Sequence, residues 1–300
     1  RLTKGLVMRR FVLVLAVFIL PLAVFGAMVL ADRSFGTPGR GYDYVIAVNL
    51  PSPESQAALP KIEGPLDASR PLVVIDAGHG GKDPGAGTGP TKEKDLTLAM
   101  ALALRDELLR GGGVRVALTR SDDHYLFLPE RSAIARRLGA DLFISIHADS
   151  TEGETEAVGA TVYTLSAKGS NQVAERMAAR ENAADRIGGV LIDDQEGAVG
   201  AILVDLAQRE AQVRSEDFAR LILREGQGRV PFKETGLQSA AFAVLKSPDV
   251  PSVLFESGYI NNPVDLARLK SAEGRQGFAR SVAQAIRVFF ARTAASTGPA

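Results

Sequence analysis

From Pro71 onward, apolar β-branched runs alternate with stretches whose apolar residues recur every three or four positions. That alternation predicts a single α/β domain on a mostly parallel sheet flanked by helices. The first strand is LVVID, from Leu72 to Asp76. A helix is predicted from Glu93 to Arg110, where Gly111, Gly112 and Gly113 stop it. VRVALT then reads as a strand, PERSAIARRLGA as a helix with Pro129 in its first turn, and DLFISIHAD and GATVYTL as strands. Two helical stretches follow, Asn171 to Ile187 and Ala201 to Glu225, before strands near AFAVLK and PSVLFES and a last helix around Gly277 to Thr293. In open sheets of this kind ligands bind outside the carboxyl ends of the strands.

The first 31 residues break the pattern. Arg1, Lys4, Arg9 and Arg10 precede the apolar run FVLVLAVFILPLAVFGAMVL, which is followed by Ala31 with Val29 two places earlier, an export signature with a small-residue cleavage pattern. At about 20 residues the run is also long enough to span a bilayer. Residues 1–31 are therefore expected to be a signal peptide or a membrane anchor acting through residues 11–30. Arg9 and Arg10 invite a twin-arginine reading, but Phe11 follows directly and the run is very apolar, which favours ordinary secretion. Residues 32–69 are rich in Pro, Gly and Ser and read as a linker, and residues 294–300 as a disordered tail.

Charge and composition narrow the chemistry. Lysines and arginines number 35, as do aspartates and glutamates, so no positive field is available for a nucleic acid backbone. There is no cysteine, which removes disulfides, thiolate metal sites and cysteine nucleophiles together. A metal, if bound, must sit on His, Asp or Glu.

The chain has three histidines, and one lies in the glycine-rich stretch VVIDAGHGGKDPGAGTGPTKEKD. His79 falls just past the first strand, Glu93 opens the following helix, His147 ends DLFISIH and Glu256 ends SVLFE. All four are expected on one rim of the sheet. Two neutral imidazoles and a carboxylate make an open zinc site whose water becomes acidic enough to attack an amide. Such chemistry also needs a carboxylate to carry the water proton to the leaving amine, and Glu256, ending an apolar strand, is the candidate. A histidine after a strand is equally a hydrogen-bonded loop residue, and the spacing is not a compact motif such as HExxH. The glycines lack both the P-loop and the dinucleotide register, no serine stands in a GxSxG elbow, and His124 reads as a solvated loop residue.

VVIDAGHGGKDPGA, KEKDLTL, TRSDDHYLFLPERSAIA, LFISIHADS and PSVLFESGYINNP, in this order, resemble the successive signatures of the zinc-dependent N-acetylmuramoyl-L-alanine amidases that cut bacterial peptidoglycan during cell separation. The resemblance covers residues 70–293 and implies a catalytic domain with a six-stranded mixed sheet, phosphorylase/hydrolase-like, with one zinc on His79, Glu93 and His147 and Glu256 as the catalytic glutamate. It further implies a monomeric periplasmic enzyme acting on the amide between the lactyl group of N-acetylmuramic acid and L-alanine. A zinc peptidase of the stem peptide and a catalytically inactive wall-binding regulator are the alternatives. Many relatives carry a wall-binding domain ahead of the catalytic part; here the corresponding stretch is a short tether.

NQVAERMAARENAADRIGG resembles the helix that lies over the zinc in relatives needing an activator, and with the run on through GAILVDLAQRE it marks about 166–232 as a regulatory helical insertion. Val173, Met177, Ala184 and Ile187 would form one stripe with Glu181 on it. A carboxylate on an inward stripe needs a partner. Glu181 would either pair with an arginine of the body or take the open zinc position and exclude the substrate water. In the second case the resemblance implies a LytM-domain activator.

Overall fold

The computed structural model describes residues 59–87, 90–150, 156–188 and 201–296, together with Val24 alone. The signal or anchor segment and most of the linker therefore lie outside the described residues. Among the described residues no helix is long and apolar enough to cross a membrane.

Six strands form one mixed sheet: β1 Leu72–Ala77, β2 Arg115–Leu118, β3 Leu142–Asp149, β4 Ala160–Leu165, β5 Phe232–Ala240 and β6 Ser252–Tyr259, in the order β2-β1-β3-β6-β4-β5. All neighbours run parallel except β4 and β6. Strands β1, β3 and β6 are buried along their whole length, which is why they read as continuous apolar runs. Among the described residues, six helices flank the sheet: α1 Glu93–Gly111, α2 Leu128–Arg137, α3 Gln172–Asn182, α4 Ala201–Gly226, α5 Pro263–Lys270 and α6 Ala272–Ser296.

Alternate residues of each strand serve opposite faces. Val73 and Ile75 of β1 pack with Met100 and Leu104 of α1, Phe218 and Ile222 of α4, and Phe278 and Ile286 of α6. Leu72 and Val74 face the other layer, with Leu128 of α2, Met177 of α3, and Phe242. From β1 the chain crosses to β2 on one side and then returns to β3 on the other. The loops leaving the carboxyl ends of β1 and β3 therefore diverge, and the crevice between them is where a site is expected in such sheets.

Several boundaries differ from the sequence reading. AFAVLK is not a strand: Ala243–Leu245 is a 3-10 turn whose Val244 and Leu245 plug the core, while the strand is the more polar FKETGLQSA. β5 is an edge strand with Glu234 and Thr235 exposed, so its pattern lacks a full apolar period. α5 was not foreseen; Asn262 caps it by accepting from the Val264 N–H at 2.9 Å, with Pro263 following. The helix expected over Asn171 to Ile187 ends at Asn182 and tightens into a 3-10 turn, Ala183–Gly188. α6 is helical to Ser296, past the boundary drawn at residue 293. The backbone of Glu63, inside the expected linker, exchanges bonds of 2.7 and 2.9 Å with Val116 and so covers the β2 edge. Phe218, Ala219 and Ile222 of α4 are core residues, so the later part of the expected insertion belongs to the domain body.

Candidate active site

His79 is carried by the turn leaving β1 and is the one non-glycine residue with positive φ, 59°, among those described. Two buried arginines hold that turn. Arg120 donates to the carbonyls of Ala77 and Gly78 at 2.9 and 2.8 Å, and Arg131 to those of Ala77 and His79 at 2.8 and 2.9 Å. Arg131 also donates at 2.9 Å to Asp76, a fully buried carboxylate that accepts from Thr119 and Ser145 hydroxyls at 2.6 and 2.7 Å. The carbonyls of the turn are thus satisfied without a ladder, and the left-handed conformation of His79 is fixed from several sides.

Asp83 accepts from His79 Nδ1 at 2.8 Å. In the neutral ring this leaves the Nε2 lone pair facing the crevice. Glu93, at the first turn of α1, divides its oxygens between the histidines: Oε1 lies 3.1 Å from His147 Nδ1 and Oε2 3.0 Å from His79 Nε2. Each oxygen is also anchored by a backbone donor, Ala148 N–H at 2.9 Å and Ala86 N–H at 2.7 Å. The glycines make room for this convergence. A Cβ on Gly78 would stand 2.5 Å from the His147 ring, and one on Gly85 would stand 2.6 Å from both Glu93 Oε2 and His79 Cδ2.

The electrostatics follow from the crowding. Burial pushes Glu93 up, but the facing His79 ring and the hydrogen bond with His147 outweigh it and hold the carboxyl at about 2. Burial pushes His147 down, yet the hydrogen bond to Glu181 outweighs it and raises the imidazole to about 10. Such a nest holds a positive charge. His79, Glu93 and His147 are buried and each offers a ligand atom within 4.8 Å of the others, while His79 Nε2 has no hydrogen-bond partner. Two nitrogens and a carboxylate, with one nitrogen lone pair unused, fit a divalent metal of the zinc type.

Residues 73–288 match the N-acetylmuramoyl-L-alanine amidase family. The chain belongs to that family. It is 39% identical over 221 residues to the N-acetylmuramoyl-L-alanine amidase AmiA of Escherichia coli K12, covering 73% of this chain and 76% of AmiA. It is 36% identical to AmiC of Escherichia coli O6:H1, covering 76% of this chain and 55% of AmiC. Among solved structures, the amidase AmiC2 of Nostoc punctiforme superposes with a TM-score of 0.53 at 29% identity, covering 74% of this chain and 98% of that one.

In the amidase, His147 and Glu256 are register partners on β3 and β6, each inside its strand rather than at its end. Both oxygens of Glu256 are buried without a hydrogen-bond partner. Burial, reinforced by nearby Asp149, pushes its carboxyl well above the usual range. Glu181, at the end of α3, places Oε2 3.4 Å from His79 Nε2 and 3.2 Å from His147 Nδ1. The inward face of α3 is Ala174, Met177, Ala178 and Glu181; Val173, expected on that stripe, is exposed. His124 is half exposed, its ring paired with Asp122.

Sequence reasoning missed Asp83, Arg120, Arg131, Asp149 and Arg180. Arg180 donates to Asp149 Oδ1 and the Ser150 carbonyl, both at 2.5 Å, and lies 3.3 Å from Glu181 Oε1. Its position next to Glu181 was the available signal. A cavity of 350 Å³ remains between the glycine loop and this segment, lined by His79, Gly85, Ser150, Arg180 and Ala184. A larger hollow of 620 Å³, lined by Arg229, Arg268 and Arg280, contains none of the cluster residues.

Proposed function

We propose that the domain hydrolyses the amide joining the lactyl group of N-acetylmuramic acid to L-alanine of the stem peptide, in the periplasm, during daughter-cell separation. His79, Glu93 and His147 would hold one zinc ion, which would supply Lewis-acid polarisation of the scissile carbonyl and a more acidic attacking water. Glu256, on the strand beside His147, takes a proton from that water and returns it to the leaving nitrogen. The amide C–N bond breaks, the acyl carbon gains the water oxygen, and L-alanine leaves as an amine. Asp83 keeps the His79 ring in the tautomer that turns Nε2 to the ion.

The described form is latent in this reading. Glu181 Oε2 faces both imidazoles, and this single observation supports the closure most directly. Opening requires a partner that draws α3 away, and the LytM-domain class of activator suits that task. The N-terminal segment, residues 1–31, exports or anchors the chain.

The test uses the zinc-loaded protein on purified muropeptides with product identification by mass spectrometry. Glu181→Ala, or deletion of residues 171–188, is expected to raise basal hydrolysis without a partner. In the Glu181→Ala background, Glu256→Gln is expected to keep zinc and fold and to lose activity by about 10²- to 10⁴-fold, the usual scale for a proton carrier. Activity within a few-fold of the parent removes Glu256 from the mechanism. Cleavage between amino acids of the stem, rather than at the lactyl amide, makes the enzyme a peptidase.

A further inference from the structure

We propose that Asp149 Oδ1 and the Ser150 carbonyl form a preorganised acceptor pair for backbone N–H groups of the stem peptide, and that Arg180 covers this pair in the closed form. The proposal deepens the latent reading given above, because Arg180 travels with Glu181 on α3.

Asp149 lies two residues beyond His147 on β3, and the register irregularity beside it falls on the β6 side, where three residues from Glu256 to Tyr259 oppose two from His147 to Asp149. β3 thus keeps its alternation, and Asp149 shares a face with His147. Its side chain is 6% exposed and has a partner outside α3 as well: the Tyr259 hydroxyl hydrogen-bonds it, and Lys233 Nζ lies 2.8 Å from that hydroxyl. The Asp149 backbone carbonyl is also fixed, accepting from Ile260 N–H at 2.7 Å.

Arg180 meets the acceptors with two different nitrogens, Nη1 on the Ser150 carbonyl and Nη2 on Asp149 Oδ1. The two oxygens are therefore spaced for a pair of N–H donors entering together. Arg180 itself keeps a side-chain exposure of 43%, so whatever replaces it arrives from solvent. When α3 leaves, Asp149 loses its guanidinium while Glu93 and Glu256 stay nearby. A buried carboxylate among like charges needs new donors. Stem-peptide amides, brought to this rim by the scissile bond, supply them.

The experiment measures binding of an uncleaved muropeptide by calorimetry to the zinc-loaded Glu181→Ala, Glu256→Gln protein, with and without Arg180→Ala, and then with Asp149→Asn added. Arg180→Ala is expected to tighten binding, and Asp149→Asn to weaken it about tenfold in the Arg180→Ala form, at unchanged zinc content and circular dichroism. In the Glu181→Ala enzyme the same Asp149→Asn change is expected to raise KM with kcat within a few-fold. Unchanged muropeptide affinity on Asp149→Asn overturns the proposal, as does a failure of the Arg180→Ala form to bind the muropeptide. A latch role for Asp149 alone predicts higher basal activity and an unchanged KM, which also overturns it. If Glu181→Ala leaves basal activity unchanged, the latent reading fails, while the affinity measurement still decides on Asp149.

Discussion

Replacing Gly85 with alanine tests whether the glycine loop exists to let His79 and Glu93 meet. The added Cβ would lie 2.6 Å from Glu93 Oε2 and His79 Cδ2 and 2.7 Å from Glu93 Cβ, at a residue whose φ is +68°. Neither neighbour is free to retreat, since Glu93 Oε2 accepts from Ala86 N–H at 2.7 Å and His79 Nδ1 is tied to Asp83 at 2.8 Å. A left-handed backbone costs an L-residue roughly 1–2 kcal/mol, and forcing a methyl into a packed site costs about 1–3 kcal/mol more. Gly112 supplies the control: its φ is +64°, but a Cβ there meets nothing within 4 Å. Gly112→Ala should therefore carry the backbone cost alone. Zinc affinity is read by competition with a chromophoric chelator, and stability by thermal unfolding with and without zinc. Gly85→Ala is expected to lose at least tenfold in zinc affinity, the scale for disturbing groups that orient a ligand, whereas Gly112→Ala keeps it. Equal zinc affinities in the two variants would refute the role assigned to the loop.

Asp185→Ala should raise basal muropeptide hydrolysis several-fold at unchanged zinc content, because Asp185 ties the turn after α3 to Leu128 N–H at 3.1 Å and to the Tyr125 hydroxyl at 3.0 Å; parental basal activity would show that this tie does not hold the closed form. Burial pushes Asp76 up, but Arg131 and two hydroxyl hydrogen bonds outweigh it and leave the folded value below the ordinary 3.8. Its contribution is thus present above the unfolded value and lost as pH falls through the folded one, so Asp76→Asn should lower stability near neutral pH and flatten the acid limb of urea-melt stability against pH. An unaltered acid limb would contradict this. A chain beginning at Leu59 should be monodisperse, while one beginning at Pro71 should fold but self-associate, because removing Glu63 uncovers the β2 edge; light scattering separates the two outcomes.

The sheet was legible where burial writes itself as composition. LVVID, DLFISIHAD and SVLFES are buried on both faces, so their apolar runs admit few other readings. β5 was not legible, since an edge strand pairs through its backbone and leaves polar side chains outward. The buried AFAVLK stretch misled for the converse reason: core burial does not require a strand, and a 3-10 turn inserts Val244 and Leu245 as well. At the candidate site, His79, Glu93, His147 and Glu256 stood out as ionisable groups in or beside apolar runs. Arg120 and Arg131 did not. They act through backbone carbonyls of a turn more than 40 residues away, and only the turn's geometry reveals the need. Asp149 was hidden in the same way, in an apolar strand whose neighbour His147 already had a use.

In the latent reading proposed above, the means by which α3 is held sets how strong an opener must be. Its inward apolar face is small, with Ala174, Met177 and Ala178 buried, while Val173 remains exposed. Polar ties carry the rest: Asn182 donates to the Ala241 carbonyl and accepts from Ala243 N–H, both at 2.8 Å, Asn171 donates to Gln238 at 3.0 Å, and Asp185 and Arg180 act as described. Each such bond is exchanged for one to water on release, so its net hold is only about 0.5–1.5 kcal/mol. A face closed by large apolar side chains would offer no such exchange. Swinging a two-state equilibrium from 1:99 to 99:1 takes roughly 5.5 kcal/mol of differential affinity. A partner that binds only the open form with a dissociation constant between about 1 μM and 1 nM has some 8–12 kcal/mol available at standard state. If the proposed latency holds, an ordinary protein interface is therefore sufficient to open the site. Because the ties at Asn182 and Asp185 lie outside the candidate metal cluster, in that reading they can be weakened to lower the threshold for opening while His79, Glu93, His147 and Glu256 stay as they are.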